Sequence, residues 1–380
     1  MKKICFVTTV SITLKSFVLH IAEHLNKVGG YDITFICNDD EEFRKSLPPY
    51  IRFIPVPMNR GINFRDLKSI IKLKKIFTEE KFDYIQYSTP NASLFASVAA
   101  KLAKAPIRVY AQWGIRYVSE QGLKRKFLKM LEKFTCHMST HVRPQSEKNM
   151  EYAICEGLYG SDKASVIGTA GIDFNIFDIS KKEIYRETIH REYNINSSSY
   201  IFGFVGRICV DKGSGELLKS FYKLLEKGYN AKLFMVGDAE NIEDIDDELI
   251  DWAKESKDVI FTGHIDNSML NRYYAAFDCY VHPTYREGFG IVLQEAAAMG
   301  NAIITTDVPG ASEVMEKDVS CKLVLPQNTD KLEEAMEYVL NNRNESEKMG
   351  QKAYERTKML YERRIMLESI EKGMIEIMEE

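Results

Sequence analysis

One glutamate and two glycines are crowded into the stretch His282-Pro283-Thr284-Tyr285-Arg286-Glu287-Gly288-Phe289-Gly290, which runs on to a second glutamate in Ile291-Val292-Leu293-Gln294-Glu295-Ala296-Ala297-Ala298-Met299-Gly300. The pattern reads as strand, loop, helix and stop. Gly288 and Gly290 let a backbone come close to a ligand, and a helix opening at Ile291 presents unpaired N–H groups and the positive end of its dipole. An anion such as phosphate can bind there. Glu295 falls about one turn into that helix, so its carboxylate can accept two hydroxyl hydrogen bonds, as from a ribose, near the anion. Glu287 stands in the loop ahead, placed to hold the hydroxyls of a sugar. The plain alternative is a strand-to-helix turn carrying surface carboxylates.

A second group of residues is Phe204-Val205-Gly206-Arg207-Ile208-Cys209-Val210-Asp211-Lys212-Gly213. Arg207 offers a planar fork of donors and Lys212 a compact charge, and together they can neutralise a diphosphate leaving group without a metal. Negative charge on a departing phosphate is greatest in the transition state, so fixed cations there lower the barrier. Taken alone, the two cations fit surface positions equally well. Met235-Val236-Gly237-Asp238, Phe261-Thr262-Gly263-His264 and Thr305-Thr306-Asp307-Val308-Pro309-Gly310 each read as a strand ending in a glycine loop. Each is weak by itself.

Two glutamates separated by seven residues, with Gly-Phe-Gly after the first, resemble the signature of glycosyltransferase family 4, and the Gly206-Arg207 and Lys212-Gly213 pairs resemble its second motif. The resemblance is sharp over residues 200 to 326 and rests on architecture before that. It implies a retaining enzyme of GT-B fold in which Glu287 orients the donor sugar and Glu295 binds the nucleotide ribose. By the same resemblance Arg207, Lys212 and Glu287 are the catalytic candidates, and Gly206, Gly288, Phe289, Gly290, Ile291 and Glu295 bind the donor. The expected co-substrate is a nucleotide sugar, with UDP as the nucleotide, and no cofactor. In the first half the chain departs from the family. Thr8-Thr9-Val10-Ser11-Ile12-Thr13-Leu14-Lys15-Ser16 replaces a glycine-rich loop, and Gln112-Trp113-Gly114-Ile115-Arg116-Tyr117 has no histidine where many relatives carry one.

No metal is expected. Asp244-Ile245-Asp246 spells the D-x-D string of the other large transferase architecture, but it sits in an acidic run at the start of an expected helix, where it complements the dipole. The histidines lack ligand spacing. The seven cysteines are odd in number, scattered and without C-x-x-C spacing, which points to a reduced, cytoplasmic setting.

The elements that must position these residues alternate between short β-branched or aromatic runs and amphipathic stretches, the pattern of parallel α/β sheets. Expected strands in the first half are Lys3 to Thr9, Asp32 to Cys37, Arg52 to Val56, Tyr84 to Tyr87, Arg108 to Ala111, Thr140 to Arg143 and Ala164 to Ile167. In the second half they are Tyr200 to Val205, Lys232 to Val236, Val259 to Phe261, Cys279 to Val281, Ala302 to Thr305 and Lys322 to Leu325. Beyond residue 330 only helices are expected. The fold class is therefore α/β, two Rossmann-like domains whose sheets face each other across a cleft, with a helical C-terminal tail. Residues 1–175 form the acceptor domain, with helix 361–380 packed back on it, and 176–360 form the nucleotide-sugar donor domain. Gly171-Ile172-Asp173 reads as the hinge.

At 380 residues, with 45% hydrophobic and 28% charged positions, the chain suits two soluble domains of ordinary size. No long apolar run marks a membrane span or signal peptide. The net charge of -4 conceals an asymmetry: residues 1 to 180 carry 26 Lys and Arg against 18 Asp and Glu, and the remainder 25 against 37. A basic half suits phosphate-bearing ligands or an anionic membrane surface, and no nucleic-acid-binding signature accompanies it. Residues 122 to 134 form an expected basic amphipathic helix, whose Lys124, Arg125, Lys126 and Lys129 either lie at an anionic bilayer or form the solvated face of a packed helix. By analogy with family members that build cell-surface glycans, the acceptor is a lipid-linked saccharide, and the protein is peripheral on the inner face of the cell membrane. Rival readings are a sugar-nucleotide epimerase or hydrolase on the same scaffold, or a non-catalytic subunit that binds sugar nucleotide.

Overall fold

Each β-branched and aromatic run of the second half, and all but one of the first, becomes a strand in the computed structural model, which describes residues 1–58 and 67–380 apart from the side chains at 67, 116 and 119. The first sheet contains β1 (Lys3–Val7), β2 (Asp32–Cys37), β3 (Ile51–Pro55), β4 (Tyr84–Tyr87), β5 (Ile107–Gln112) and β6 (His141–Pro144), in the order β3-β2-β1-β4-β5-β6. The second contains β7 (Tyr200–Val205), β8 (Ala231–Val236), β9 (Val259–Gly263), β10 (Cys279–His282), β11 (Ala302–Thr306) and β12 (Lys322–Val324), in the order β12-β11-β10-β7-β8-β9. Every ladder among the described residues is parallel.

Helices cover both faces of such sheets, so central strands are apolar throughout instead of alternating. All six residues of β7 are buried, for example. Its core includes Leu217, Leu218, Phe221 and Leu224 from the helix Ser214–Glu226. In the first sheet, Ile4, Phe6, Ile33 and Phe35 pack with Ile21, Ala22 and Leu25 of the helix Leu19–Gly29, and with Leu367, Ile370, Met374 and Ile377 of the helix Arg363–Glu379.

The expected strand Ala164 to Ile167 does not form. The segment runs beside β6 with a single parallel bridge, Val142 to Ala164. Ser165 N–H donates to the Val142 carbonyl at 3.2 Å and Ile167 N–H to the Pro144 carbonyl at 2.8 Å. A ladder also needs a bond from residue 144 back to Ser165, and Pro144 has no N–H to give. The glycine-free segment after β1 also has a definite form. Its chain enters a helix at Ser11–Thr13, widens into a π turn at Leu14–Val18, and continues as Leu19–Gly29.

The chain forms two compact units, Met1–Ala170 with Arg364–Glu380, and Gly171–Arg363. The chain segments at the two crossings lie side by side. Ile172 N–H donates to the Tyr361 carbonyl at 2.8 Å, Arg363 N–H to the Ile172 carbonyl at 2.9 Å, and the Arg363 guanidinium pairs with Asp173 at 3.0 Å.

Candidate functional site

Strand order reverses in the second sheet between β7 and β10. Loops leaving the carboxyl ends of such neighbours diverge and open a crevice, the usual ligand position in open α/β sheets. Gly206-Arg207 follows β7, and the segment from Pro283 to Gly290 follows β10. The two motifs thus meet at the switch point although 75 residues separate Lys212 from Glu287.

Gly213 brings the loops together. It has φ 72°, and a Cβ there would lie 2.1 Å from the Pro283 carbonyl oxygen, so no other residue allows this approach. Tyr285 N–H then donates to the Asp211 carbonyl at 2.9 Å, and the Thr284 hydroxyl donates to the same oxygen at 3.3 Å. Gly310 closes the loop from the β11 side with φ 83°, where a Cβ would meet the Glu287 and Gly288 carbonyl oxygens at 2.5 Å.

Lys212 Nζ consequently lies 2.9 Å from Glu287 Oε2, with side-chain exposures of 20% and 16%. His282 Nε2 lies 2.9 Å from the same oxygen, while Gly288 N–H donates to Oε1 at 3.0 Å. Burial alone would push the Glu287 carboxyl up, but the Lys212 charge and the His282 hydrogen bond hold it well below the usual carboxylate range. Burial pushes the His282 imidazole down despite the carboxylate beside it. The result is a fixed carboxylate between a cation and a neutral donor.

The helix Ile291–Ala298 starts at Gly290, which has φ 62° and gives no side-chain cap, so its positive end is open to an anion. Glu295 is half-buried on this helix and accepts the Tyr274 hydroxyl at 2.9 Å. Burial pushes its carboxyl up to about 7, against the pull of Tyr274 and of the Arg363 charge. The Phe289 ring turns away from the loop into the core, edge-on to Tyr361 at 5.5 Å.

Arg207 is half-exposed and committed to acids. Its Nη1 lies 2.5 Å from Glu240 Oε2 and its Nη2 3.8 Å from Asp211, which also holds Arg286 at 2.7 Å. Lys212 and Arg207 therefore each carry a carboxylate partner that the motifs alone did not disclose. Sequence reasoning also assigned no role to His282, Tyr274, Asp211 or Glu240. His282 had one signal, its position as the last residue of β10 five places before Glu287. Tyr274 comes from a separate helix, Leu270–Ala276, and had none. Asp246 caps the helix Asp247–Glu255 by accepting Leu249 N–H at 3.2 Å, which accounts for one carboxylate of the D-x-D string.

In the first unit, Gln112 Nε2 donates to Glu132 at 2.6 Å and the Tyr159 hydroxyl donates to Gln112 Oε1 at 3.1 Å, so this side chain faces inward. The helix Gly122–Met138 divides its cations. Arg125 lies over the Tyr117 ring at 5.3 Å and near Glu156 at 3.4 Å, and Lys129 pairs with Glu156 at 2.8 Å. Lys124 pairs with Glu120 at 2.8 Å and stays exposed, as do Lys126 and Lys133. Leu123, Phe127, Met130 and Phe134, spaced along one face, are 83%, 47%, 57% and 39% exposed. Among the described residues no helix is long and apolar enough to cross a membrane.

This geometry offers an open helix N-terminus, two cations and two carboxylates in unlike surroundings. Residues 185–356 match the model for Glycosyl transferases group 1, and residues 3–146 match that for Glycosyl transferase 4-like. The capsular polysaccharide biosynthesis glycosyltransferase CapM of Staphylococcus aureus is 29% identical over 343 residues, covering 90% of this chain and 88% of its own length. An Escherichia coli UDP-Gal:alpha-D-GlcNAc-diphosphoundecaprenol alpha-1,3-galactosyltransferase is 24% identical, covering 82% and 81%. The crystal structure of Anabaena Alr3699/HepE in complex with UDP and glucose superposes with a TM-score of 0.79 at 18% identity, covering 98% of this chain and 99% of that one, and so shares the GT-B fold. Matched in both halves, the chain belongs to the glycosyltransferases of the group 1 and 4-like families.

Proposed function

We propose that the protein is a retaining transferase that moves a hexosyl or N-acetylhexosaminyl group from a UDP-sugar to a hydroxyl of a lipid-diphosphate-linked saccharide during surface glycan assembly. The observation that carries this reading is the meeting of Lys212, Glu287 and the open helix N-terminus at Gly290 beyond the carboxyl end of β10. Residues 176–360 serve as the donor half and residues 1–175 as the acceptor half. The names of the capsular and diphosphoundecaprenol-dependent relatives support the acceptor class.

In this reaction the bond from the anomeric carbon to the β-phosphate oxygen breaks, and its electron pair stays on that oxygen. The acceptor hydroxyl oxygen bonds to the same carbon on the same face, and its proton passes to the leaving phosphate. Arg207, Lys212 and the helix dipole at Gly290-Ile291 stabilise the charge that develops on the diphosphate, so the step runs without a metal. Glu287 holds donor-sugar hydroxyls, Glu295 the ribose, and Gly206 and Gly288 give backbone access. Phe289 supports the loop from behind. The acceptor's lipid requires a membrane at the active protein, and the stripe Leu123, Phe127, Met130 and Phe134 with exposed Lys124, Lys126 and Lys133 supports peripheral contact with the inner face of the cell membrane.

A donor screen tests the reading. UDP release from a panel of UDP-sugars is followed with and without a lipid-diphosphate saccharide, and the product linkage is read by NMR. The expected result is acceptor-dependent release with the donor's anomeric configuration kept. Acceptor-independent release, or inversion, would overturn it.

A further inference from the structure

The Glu287 carboxylate has two side-chain donors on one oxygen, and they differ in kind. Lys212 reaches it on a flexible stem, whereas His282 is fixed. Its ring is 1% exposed and packs near-parallel to two others, Phe204 at 6.1 Å and 24° and Tyr280 at 5.9 Å and 15°. The Tyr280 hydroxyl donates to the Val205 carbonyl oxygen at 3.2 Å and lies 3.3 Å from His282 Nδ1, on the far side of the imidazole. Tyr274 packs against Tyr280 at 5.5 Å and donates to Glu295. A buried rank of three rings, Tyr274, Tyr280 and His282, therefore stands behind both carboxylates.

The geometry points to His282 as a positioning residue for the transfer reaction: its Nε2–H holds the Glu287 carboxylate in place when donor phosphate draws on the Lys212 ammonium. This rests on the transfer reading above. A lysine that serves both a carboxylate and a diphosphate cannot by itself define where the carboxylate points. A buried imidazole packed against two rings can, because that packing fixes its donor direction. Depression of the imidazole pKa by burial fits this duty, since the ring stays neutral and adds no charge to compete with Lys212 for phosphate.

The test uses the full chain and two variants. His282→Phe keeps an aromatic ring in the stack and removes the donor, and His282→Gln keeps an N–H of similar reach. With a UDP-sugar that the wild type turns over, His282→Phe lowers kcat about ten- to a hundredfold, the usual worth of a hydrogen bond to a charged group, and leaves KM and UDP affinity within about threefold. His282→Gln restores most of kcat. A second readout is independent of turnover: 15N NMR of the histidines, with His282 assigned from the variants, shows the Nε2–H tautomer of the neutral ring at about pH 8. Unchanged kcat in a folded His282→Phe overturns the assignment, and so does a joint fall of kcat, UDP affinity and Tm that glutamine does not rescue. If the wild type turns over no UDP-sugar, the transfer reading fails instead, and the tautomer still decides the hydrogen bond: Nδ1–H contradicts it.

Discussion

Lys212 Nζ and Glu287 Oε2 meet at 2.9 Å across the switch point of the second sheet, joining the two motifs into one unit. A largely buried pair of this kind is costly to break on one side only, because the partner keeps its charge without compensation. Lys212→Met is therefore expected to lower stability by about 2 kcal/mol, discounted for partial exposure, whereas Lys212→Met with Glu287→Gln recovers much of the loss without recovering activity. Urea unfolding of the two single variants and the double variant, set out as a cycle, checks this. Additive losses in the double variant would contradict the pairing.

Glu295 gives a pH signature. Its folded-state carboxyl is raised to about 7 from an ordinary 4.5, so between those values the folded protein holds a proton that the unfolded chain has released. Stability contributed by this group is complete below pH 4.5 and is lost as pH rises to 7. Relative to wild type, Glu295→Gln should gain Tm across that window and level off above it. UDP affinity should also rise as the carboxyl ionises and becomes a better acceptor for ribose hydroxyls, and the glutamine variant should lack this rise. Calorimetric titrations at pH 6 and pH 8 suffice to compare the two proteins.

Arg207 is held by Glu240 at 2.5 Å on the surface of the same unit. Under the proposed mechanism a diphosphate must compete with that carboxylate for the guanidinium. Glu240→Gln removes the competitor, and UDP is expected to bind about threefold tighter, the scale of one exposed ion pair, with the gain shrinking in high salt. Weaker binding in this variant would place Arg207 away from the phosphates.

The fold was legible because both sheets are built from apolar runs buried on two faces, which alternation with helices makes plain. Ala164 to Ile167 misled for a local reason: its composition suits a strand, but its neighbour in the sheet carries Pro144, and that is a pairing property no single run displays. At the site, Glu287, Glu295, Arg207 and Lys212 could be found because their chemistry is tied to glycines at fixed spacing. Their partners were hidden for the converse reason. Tyr274 and Glu240 act by contacts made only when separate elements pack, His282 showed only its place five residues before Glu287, and the division of the basic helix, with Arg125 and Lys129 turned toward Glu156, depends on a glutamate 27 residues beyond Lys129.

That division sharpens the membrane expectation. Leu123→Ser with Phe127→Ser removes apolar area from the exposed stripe and leaves the inward ion pairs intact. Co-sedimentation with vesicles containing anionic phosphatidylglycerol should fall severalfold in this variant, while wild-type binding weakens on neutral phosphatidylcholine vesicles and in high salt. Equal binding by the variant and the wild type would remove this helix from the contact.

The most direct test of the account is the turnover of an accepted UDP-sugar by Arg207→Ala and Lys212→Ala, measured as kcat on protein shown to be folded. If each cation supplies about 3 kcal/mol to the transition state, each variant loses about two to three powers of ten in kcat. Turnover at the wild-type rate in both variants would contradict the diphosphate clamp, and with it the centre of the proposed mechanism.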